Sequence, residues 1–268
     1  MDIFFDTHAH LDYPDYATDL AEVIEKARLA GITKIISIGT NLESSRRAVA
    51  LTERFDGIFA AVGWHPSDAL DAPEDLRPAL RELVRHPKVV AIGEIGLDYH
   101  RLPSAASGGT LEDDQRYKEK QAAIFEQQLE VAHEAGLNCV IHQRDAFEDT
   151  LKQMRPWTGK TRGVFHCFSE TPERLGQILE IGCLVSFTGI VTFKNGQNVR
   201  NSLAAASPGQ FMLETDCPYL APVPYRGKRC EPAYVKEISE TVAQVKNCSL
   251  DELSRATCGT AKDFFQKL

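Results

Sequence analysis

Short apolar runs alternate with longer helical patterns along the chain, and this alternation constrains the fold more than any other feature of the sequence. Eight such runs are present, each followed by a segment with helical periodicity. Several are continuously apolar, which is typical of parallel strands that are covered on both faces. The predicted strands are Ile3–Asp6, Lys34–Gly39, Ile58–Gly63, Val89–Gly93, Cys139–Ile141, Val164–Phe165, Leu184–Phe187 and Phe211–Leu213.

The helical patterns complete eight strand–helix units, the last of which carries two helices. The predicted helices are Ala17–Ala30, Leu42–Arg54, Pro73–Arg85, Asp114–Ala135, Ala146–Met154, Pro172–Glu180, Asn198–Ala205, Pro232–Lys246 and Leu250–Phe265. In a chain of 268 residues this pattern predicts a (β/α)8 barrel, the TIM barrel, as a single domain over residues 1–268. A doubly wound open sheet would show the same alternation, so periodicity alone leaves that fold open.

The composition is that of an ordinary globular protein and excludes several classes. With 43% hydrophobic and 25% charged residues the chain is neither disordered nor fibrous. Its net charge of −8 means that any nucleic-acid role must come from a local site. Seven scattered cysteines without a C-x-x-C pair argue against disulfides and a zinc ribbon. Finding neither a secretory signal nor a membrane-length apolar run, we expect a cytoplasmic protein with no membrane contact and no obligate protein partner.

Histidines and carboxylates follow the predicted strands at their C-terminal ends, where barrels of this kind form active sites. Because side chains alternate along a strand, His8 and His10 point to the same side and can approach one ion together. The candidate metal ligands are His8, His10, Glu94, His142, His166 and Asp216. His65 lies at the same level after the third predicted strand and is either a substrate contact or a structural histidine.

Four histidines with Glu94 and Asp216 are more ligands than one ion needs, so the sequence predicts two divalent cations. Imidazole and carboxylate ligands suit Zn²⁺, Mn²⁺, Fe²⁺ or Ni²⁺, and a bridging carboxylate also admits Mg²⁺. Two such ions outweigh the charges of the two carboxylates and make a local site for anions, which phosphate esters fit. Paired ions activate water and stabilise an in-line displacement, and they can serve carbonyl hydrolysis as well.

Other polar residues near these strand ends allow more than one interpretation. Asp6 is expected to orient an imidazole through a hydrogen bond. Glu214 and Asp216 are both candidates for ligand or base, and we favour Asp216 because it lies nearer the mouth.

The longest irregular segments are predicted to be loops. Arg101–Glu112 is rich in small residues and predicts a flexible loop or insertion. The loop after the eighth strand carries Arg226, Lys228 and Arg229, a group that is usually only solvated. Its position beside the candidate site makes these three residues candidate phosphate contacts.

Seven segments together resemble the motifs of the TatD family of metal-dependent hydrolases. They are Asp6–Asp12, Gly93–Tyr99, Ile141–His142, Arg144–Ala146, Phe165–Ser169, Leu213–Asp216 and Pro224–Arg229. The resemblance implies a TIM barrel of the amidohydrolase kind, a two-metal site and metal-dependent deoxyribonuclease activity. It also implies that His8, His10 and Asp216 surround one ion, that His142 and His166 surround the other, and that Glu94 bridges them. Ser67, Glu170 and Cys230 depart from the familiar pattern, but none of them removes a candidate ligand.

The leading hypothesis is therefore a metal-dependent hydrolase of phosphodiester bonds with DNA as its substrate. Asp216 would accept the proton of the attacking water, and Glu94 would hold the ions together. One alternative is an amidohydrolase or esterase that acts on a small acyl or aminoacyl substrate. Another is a non-catalytic nucleic-acid-binding protein with a structural metal, although the chain offers no closed tetrahedral set of cysteines and histidines.

Overall fold

Eight parallel strands form one sheet in which neighbours in sequence are neighbours in space. The structure is a computed structural model that describes residues 2–105 and 108–268. The strands are β1 (Phe4–Ala9), β2 (Ile32–Ile38), β3 (Ile58–Val62), β4 (Val89–Asp98), β5 (Asn138–Arg144), β6 (Gly163–Phe165), β7 (Leu184–Phe187) and β8 (Phe211–Leu213). Parallel neighbours need a crossover, and here each crossover contains a helix.

An α-helix follows every strand, and β8 is followed by two. The helices are α1 (Leu20–Leu29), α2 (Leu42–Arg54), α3 (Arg77–Leu83), α4 (Leu111–Ala135), α5 (Phe147–Met154), α6 (Pro172–Glu180), α7 (Gln197–Ala205), α8 (Val235–Lys246) and α9 (Leu250–Phe264). Within the described ranges, none of these helices combines the length and the apolar character that a membrane span requires.

The sheet closes between its first and last strands. Ala9 pairs with Cys217 in a parallel bridge just beyond β8. On either side of this pair, the amide of Asp216 donates to the His8 carbonyl at 2.9 Å and the amide of His10 donates to the Cys217 carbonyl at 2.8 Å. These bonds confirm the predicted (β/α)8 barrel and exclude the open sheet.

Buried polar groups also connect β1 to β8 and to the segment after β8. The fully buried carboxylate of Asp6 accepts hydrogen bonds from the amide and the hydroxyl of Thr215, at 2.9 and 2.6 Å, and from the His8 amide at 3.2 Å. Thr7 donates to the Leu213 carbonyl at 3.1 Å. The sequence predicts that Asp6 orients an imidazole, whereas these bonds show that it joins β1 to the segment after β8.

The two ends of the barrel are built differently. Inward-facing apolar side chains, among them Ile36, Val140 and Met212, form a cluster that fills the N-terminal part of the barrel. Phe264 and Phe265, at the end of α9, belong to the same cluster. The Phe264 carbonyl accepts a hydrogen bond from Asn138 at the start of β5, so α9 covers this end. Polar side chains are left to gather at the opposite, C-terminal end.

Strand and helix boundaries differ from the prediction where polar residues continue an element. β4 extends to Asp98, beyond the predicted end at Gly93, because its last residues pair with β5 as far as Arg144. Helix α4 begins at Leu111 because Thr110 caps it, accepting a hydrogen bond from the Asp113 amide. The predicted loop over residues 101–112 therefore ends in an ordered cap, while Ala106 and Ser107 lie outside the described residues.

Candidate metal centre

Glu94 is the residue around which the polar side chains at the C-terminal end are arranged. It lies within β4 and is only 2% exposed. Each of its two carboxylate oxygens faces a different group of imidazoles. We call His8, His10 and Asp216 the β1–β8 cluster, and His142 and His166 the β5–β6 cluster.

The β1–β8 cluster surrounds the Oε2 atom of Glu94. The Nε2 atoms of His8 and His10 lie 3.4 and 3.8 Å from this oxygen and 3.3 Å from each other. The Oδ1 atom of Asp216 lies 3.6 Å from His8 Nε2 and 3.3 Å from His10 Nε2. Asp216 reaches this position from a left-handed backbone with φ 58°, an uncommon conformation that is often found at functional sites.

The spacing in the β1–β8 cluster fits a bound cation. Four ligands about 2.1 Å from one divalent ion in a tetrahedron lie about 3.4 Å apart. The separations among the donor atoms of His8, His10 and Asp216, 3.3–3.6 Å, match that spacing. Histidine nitrogens with carboxylate oxygens are also the donor set of many zinc, manganese and iron sites. These residues therefore suit one divalent cation.

The β5–β6 cluster surrounds the other oxygen, Oε1, at shorter range. His166 Nε2 and His142 Nδ1 lie 2.7 and 2.8 Å from Oε1 and 3.3 Å from each other. His65 Nε2 lies 3.4 Å from the same oxygen, so His65 adjoins this cluster. The contact between His142 and Glu94 is a hydrogen bond, so a cation bound here would replace it.

Carboxylates stand behind both imidazoles of the β5–β6 cluster. Asp98 Oδ2 lies 3.0 Å from His142 Nε2, and Glu214 Oε1 lies 3.6 Å from His166 Nδ1. Glu214 also accepts a 2.7 Å hydrogen bond from the Cys167 amide, which fixes its carboxylate. In metal sites such a carboxylate sets the tautomer and orientation of the ligating histidine.

The electrostatics of the centre favour positive charge. Burial alone would raise the pKa of Glu94, but the charges of His166, His65 and His8 hold it well below its ordinary value. Burial would also lower the pKa of His166, yet the charge of Glu94 raises it well above the usual range. For His8, burial and the charge of His166 together lower the pKa. A site that draws protons onto its imidazoles also attracts metal cations, which compete for the same nitrogens.

The structure changes the charge balance inferred from sequence. That count included Glu94 and Asp216, whereas Asp98 and Glu214 also lie against the imidazoles. Two divalent cations would be balanced by these four carboxylates and would not outweigh them. Attraction of an anion must then come from basic side chains of the rim and from the open face of the ions.

The three basic residues predicted to bind phosphate lie in different surroundings. Arg226 and Lys228 are exposed, and the Arg226 guanidinium lies 3.7 Å from the centre of the Phe193 ring. Arg229 is held by carboxylates, at 2.6 Å from Asp19 and 3.0 Å from Glu231. A phosphate would have to compete with two carboxylates for Arg229, whereas Arg226 and Lys228 are accessible.

Sequence reasoning assigned no role to Asp98, although it falls within a quoted motif. The signal was strand alternation, because Asp98 lies four residues after Glu94 and so falls on the same face of a continuing strand. Because the sequence predicts that the fourth strand ends at Gly93, it does not place Asp98 on that strand. The contact of Glu214 with Cys167 depends on how the segments after β6 and β8 meet, which spacing does not reveal.

Comparisons with known proteins agree with this fold and with a metal-dependent hydrolase. A family model described as TatD related DNase matches residues 5–266. The uncharacterized metal-dependent hydrolase YabD of Bacillus subtilis is 38% identical over 265 residues, covering 98% of this chain and 99% of YabD. The 3'-5' ssDNA/RNA exonuclease TatD of Klebsiella pneumoniae is 31% identical over 267 residues, covering 97% of each chain. The crystal structure of YJJV, a TatD homologue from Escherichia coli, matches with a TM-score of 0.88 at 26% identity and covers 98% of both chains.

The family match extends over residues 5–266, which include Glu94 and every member of both clusters. The protein therefore belongs to the TatD family and is a metal-dependent hydrolase.

Proposed function

We propose that the protein is a deoxyribonuclease that hydrolyses phosphodiester bonds with two divalent cations. This proposal rests on the position of Glu94, whose two carboxylate oxygens face different groups of imidazoles at 2.7–3.8 Å. A carboxylate between two sets of donors is the arrangement expected for a bridging ligand. The name of the Klebsiella relative, an exonuclease of single-stranded DNA and RNA, supports nucleic acid as the substrate class.

Each residue has a role that follows from its position. His8, His10 and Asp216 would hold one ion, His142 and His166 the other, and Glu94 would contact both. When bound, such cations activate water and stabilise negative charge on phosphoryl oxygens. The histidine nitrogens and carboxylate oxygens suit Mg²⁺, Mn²⁺ and Zn²⁺ as the bound cations.

Asp216 is the residue best placed to accept a proton from the attacking water. Its side chain is 15% exposed, against 3% for Glu94, so Asp216 is the carboxylate that faces the open mouth. Burial would raise its pKa, but the hydrogen bond from His10 and the charge of His8 lower it below the ordinary value. Asp216 is therefore ionised at neutral pH and available as a proton acceptor.

The rim would position the substrate. His65 adjoins the β5–β6 cluster with its side chain 16% exposed, close enough to the mouth to contact a phosphate oxygen. Arg226 and Lys228 would contact flanking phosphates, because both are exposed in the loop that follows Asp216. Arg229, which the sequence also suggested, is assigned to the loop's own structure through Asp19 and Glu231.

The test is turnover of DNA by protein that has been stripped with a chelator and then reloaded. Activity on a DNA oligonucleotide should require Mg²⁺, Mn²⁺ or Zn²⁺. Glu94→Gln and Asp216→Asn should each reduce kcat by about a thousandfold, since each removes a charge that acts on the reaction. Glu119→Gln, a change on the outer face of α4, serves as the matched control and should leave kcat unchanged. Circular dichroism would verify that all the variants fold.

Two results would contradict the proposal. One is full activity of the stripped protein, and the other is full activity of either site variant. If the reloaded protein hydrolysed esters or amides but no phosphodiester, the acyl hydrolase considered above would replace it.

A further inference from the structure

Two tyrosines stand directly beside the β1–β8 cluster, each three residues after one of its members. The Tyr13 amide donates to the His10 carbonyl at 3.3 Å, and the Tyr219 amide donates to the Asp216 carbonyl at 3.0 Å. Both tyrosines are thus placed by a tight turn that begins at a candidate ligand. These turns bring residues from both sides of the β1–β8 seam to the same part of the mouth.

The rings of the two tyrosines continue the aromatic surface of the cluster. Tyr13 stacks on the His10 ring with centroids 4.7 Å apart and planes inclined by 21°. The Tyr219 ring stands edge-on to both, with centroids 6.4 Å from His10 and 6.4 Å from Tyr13. Together, Tyr13 and Tyr219 form an aromatic corner at the mouth.

Core packing does not account for the exposure of Tyr219. This residue is 54% exposed, and it lies in neither of the apolar clusters found among the described residues. Tyr16, in the same region as Tyr13, shows the contrasting case, because it is fully buried and donates to the Cys230 carbonyl at 2.6 Å. An exposed aromatic ring beside a candidate metal centre leaves apolar area that a ligand can cover.

We infer that Tyr13 and Tyr219 stack on the nucleobase next to the scissile phosphate, so that binding of a strand depends on this base as well as on its phosphates. This inference rests on the proposed function. The base of a nucleotide lies one sugar away from its phosphate, so a phosphate held by cations beside Glu94 would bring a base within reach of the aromatic corner, which begins at the His10 ring. A base inside a duplex has both faces covered by its neighbours, whereas an unpaired base has a face free to stack.

The chemistry of the corner also predicts broad tolerance of sequence. Tyrosine rings stack on any base, because every base has an aromatic face. Exposed Arg226 and Lys228 in the loop that carries Tyr219 would contact the backbone, which is the same for all sequences. Aromatic rings for bases and basic side chains for phosphates together make a typical surface for single strands.

The experiment compares two oligonucleotides of equal length, one with ordinary termini and one whose terminal residues are abasic. Tyr219→Leu should raise KM for the ordinary single strand about tenfold, the loss expected when one base no longer stacks on a tyrosine. The same variant should leave KM for the abasic strand unchanged, since that strand has no terminal base to stack. Tyr219→Phe should retain the KM of the parent protein because its ring is kept.

Trp157→Leu is the matched control, because Trp157 is a partly exposed aromatic residue that precedes β6, at the opposite end of the barrel. It should change KM for neither strand. Binding of a labelled single strand, followed by fluorescence anisotropy, provides a readout that does not require turnover. Tyr219→Leu should weaken this binding by the same factor.

The outcomes separate the inference from the proposed function. If the reloaded parent protein cleaves both strands and Tyr219→Leu affects them equally, or affects neither, the role of the aromatic corner is refuted and the nuclease proposal stands. If the parent cleaves neither strand but Tyr219→Leu weakens binding of the ordinary strand alone, the corner is supported and the nuclease proposal fails. Equal binding of both strands by the parent would refute the corner without reference to turnover.

Discussion

The two clusters that share Glu94 differ in how their donor atoms are held. In the β1–β8 cluster the donor nitrogens and oxygens lie 3.3–3.6 Å apart, a spacing that suits a cation, and their positions follow from the strand seam. In the β5–β6 cluster the imidazole nitrogens of His166 and His142 lie 2.7 and 2.8 Å from Glu94 Oε1. The other nitrogen of each ring faces a second carboxylate. Backbone geometry arranges the first cluster, and side-chain hydrogen bonds arrange the second.

This difference teaches that the two candidate ion sites need not be equivalent. An ion entering the β1–β8 cluster meets donors that are already suitably spaced. An ion entering the β5–β6 cluster must replace the hydrogen bond between Glu94 and His142. We therefore expect stepwise loading, with tighter binding at the β1–β8 cluster.

Removing one ligand from each cluster tests this separation most severely. His10→Ala and His142→Ala should each lower kcat about a thousandfold, because hydrolysis of this kind needs both ions. Elemental analysis should find that each variant retains a single ion. The exposed His133 provides the control, since His133→Ala should retain both ions and full activity. Loss of both ions from either variant would show that the clusters do not act as separate sites.

Removing the carboxylate behind His142 should affect one cluster only. Asp98→Asn keeps the size of the side chain but removes its charge, and such changes lower metal affinity by about 10–100-fold. Calorimetric titration of the stripped protein should show this loss in the weaker binding step alone. Asp145→Asn is the control, because Asp145 pairs with the exposed His100 and touches neither cluster. A loss in both steps would contradict the comparison.

The dependence of ion binding on pH should differ between the clusters. Burial would lower the pKa of His142, but hydrogen bonds to Asp98 and Glu94 raise it. The pKa of His166 is raised by the charge of Glu94, which outweighs burial in combination with the other contacts of the ring. Burial would lower the pKa of His10, but the hydrogen bond to Asp216 and the charges of nearby carboxylates together raise it. The pKa of His8 is lowered, by burial and by the charge of His166. Each proton that an ion displaces weakens binding as the pH falls through the raised pKa.

The β1–β8 cluster thus contains one imidazole with a raised pKa and the β5–β6 cluster two. Affinity should therefore fall more steeply with decreasing pH for the weaker step than for the tighter step. Calorimetry in buffers of different ionisation enthalpy counts the released protons directly. Equal slopes for both steps would overturn the assignment.

The hydrogen bonds of Asp6, which join β1 to the segment after β8, should contribute to the stability of the fold and should have a smaller effect on ion binding than the changes above. Asp6→Ala removes three buried hydrogen bonds and leaves donors unpaired, which costs about 2–4 kcal/mol of unfolding free energy. Urea denaturation measures this loss. Asp19→Ala, which breaks a surface pair with Arg229, should destabilise the protein less. Affinity for the β5–β6 ion should be unchanged in both variants, and a large loss there would argue against independent support of the clusters.

The barrel and the convergence of strand ends could be predicted from sequence because both follow from periodicity. The alternation of His8 and His10, and the placement of Glu94 after an apolar run, required only that the strands be parallel and adjacent. Parallel strands point their carboxyl ends to one side, so residues far apart in the chain meet there.

Contacts that depend on strand length or side-chain packing could not be predicted in the same way. Asp98 was missed because a glycine was interpreted as the end of a strand that continues through pairing with β5. Arg229 was grouped with Arg226 by proximity in sequence, yet its partner Asp19 lies 210 residues away and is brought near only by the closed barrel. Local pattern contains no information about such partners.

Closure of the barrel through β1 and the segment after β8 also bears on when the enzyme becomes competent during synthesis. His8 and His10 precede the Asp216 carboxylate and the Cys217 carbonyl that meet them by more than 200 positions in the chain. A nascent polypeptide therefore carries imidazoles without their acidic counterpart or their backbone anchor. Under the proposed function, a nascent chain that has not yet reached Asp216 therefore cannot hydrolyse its substrate.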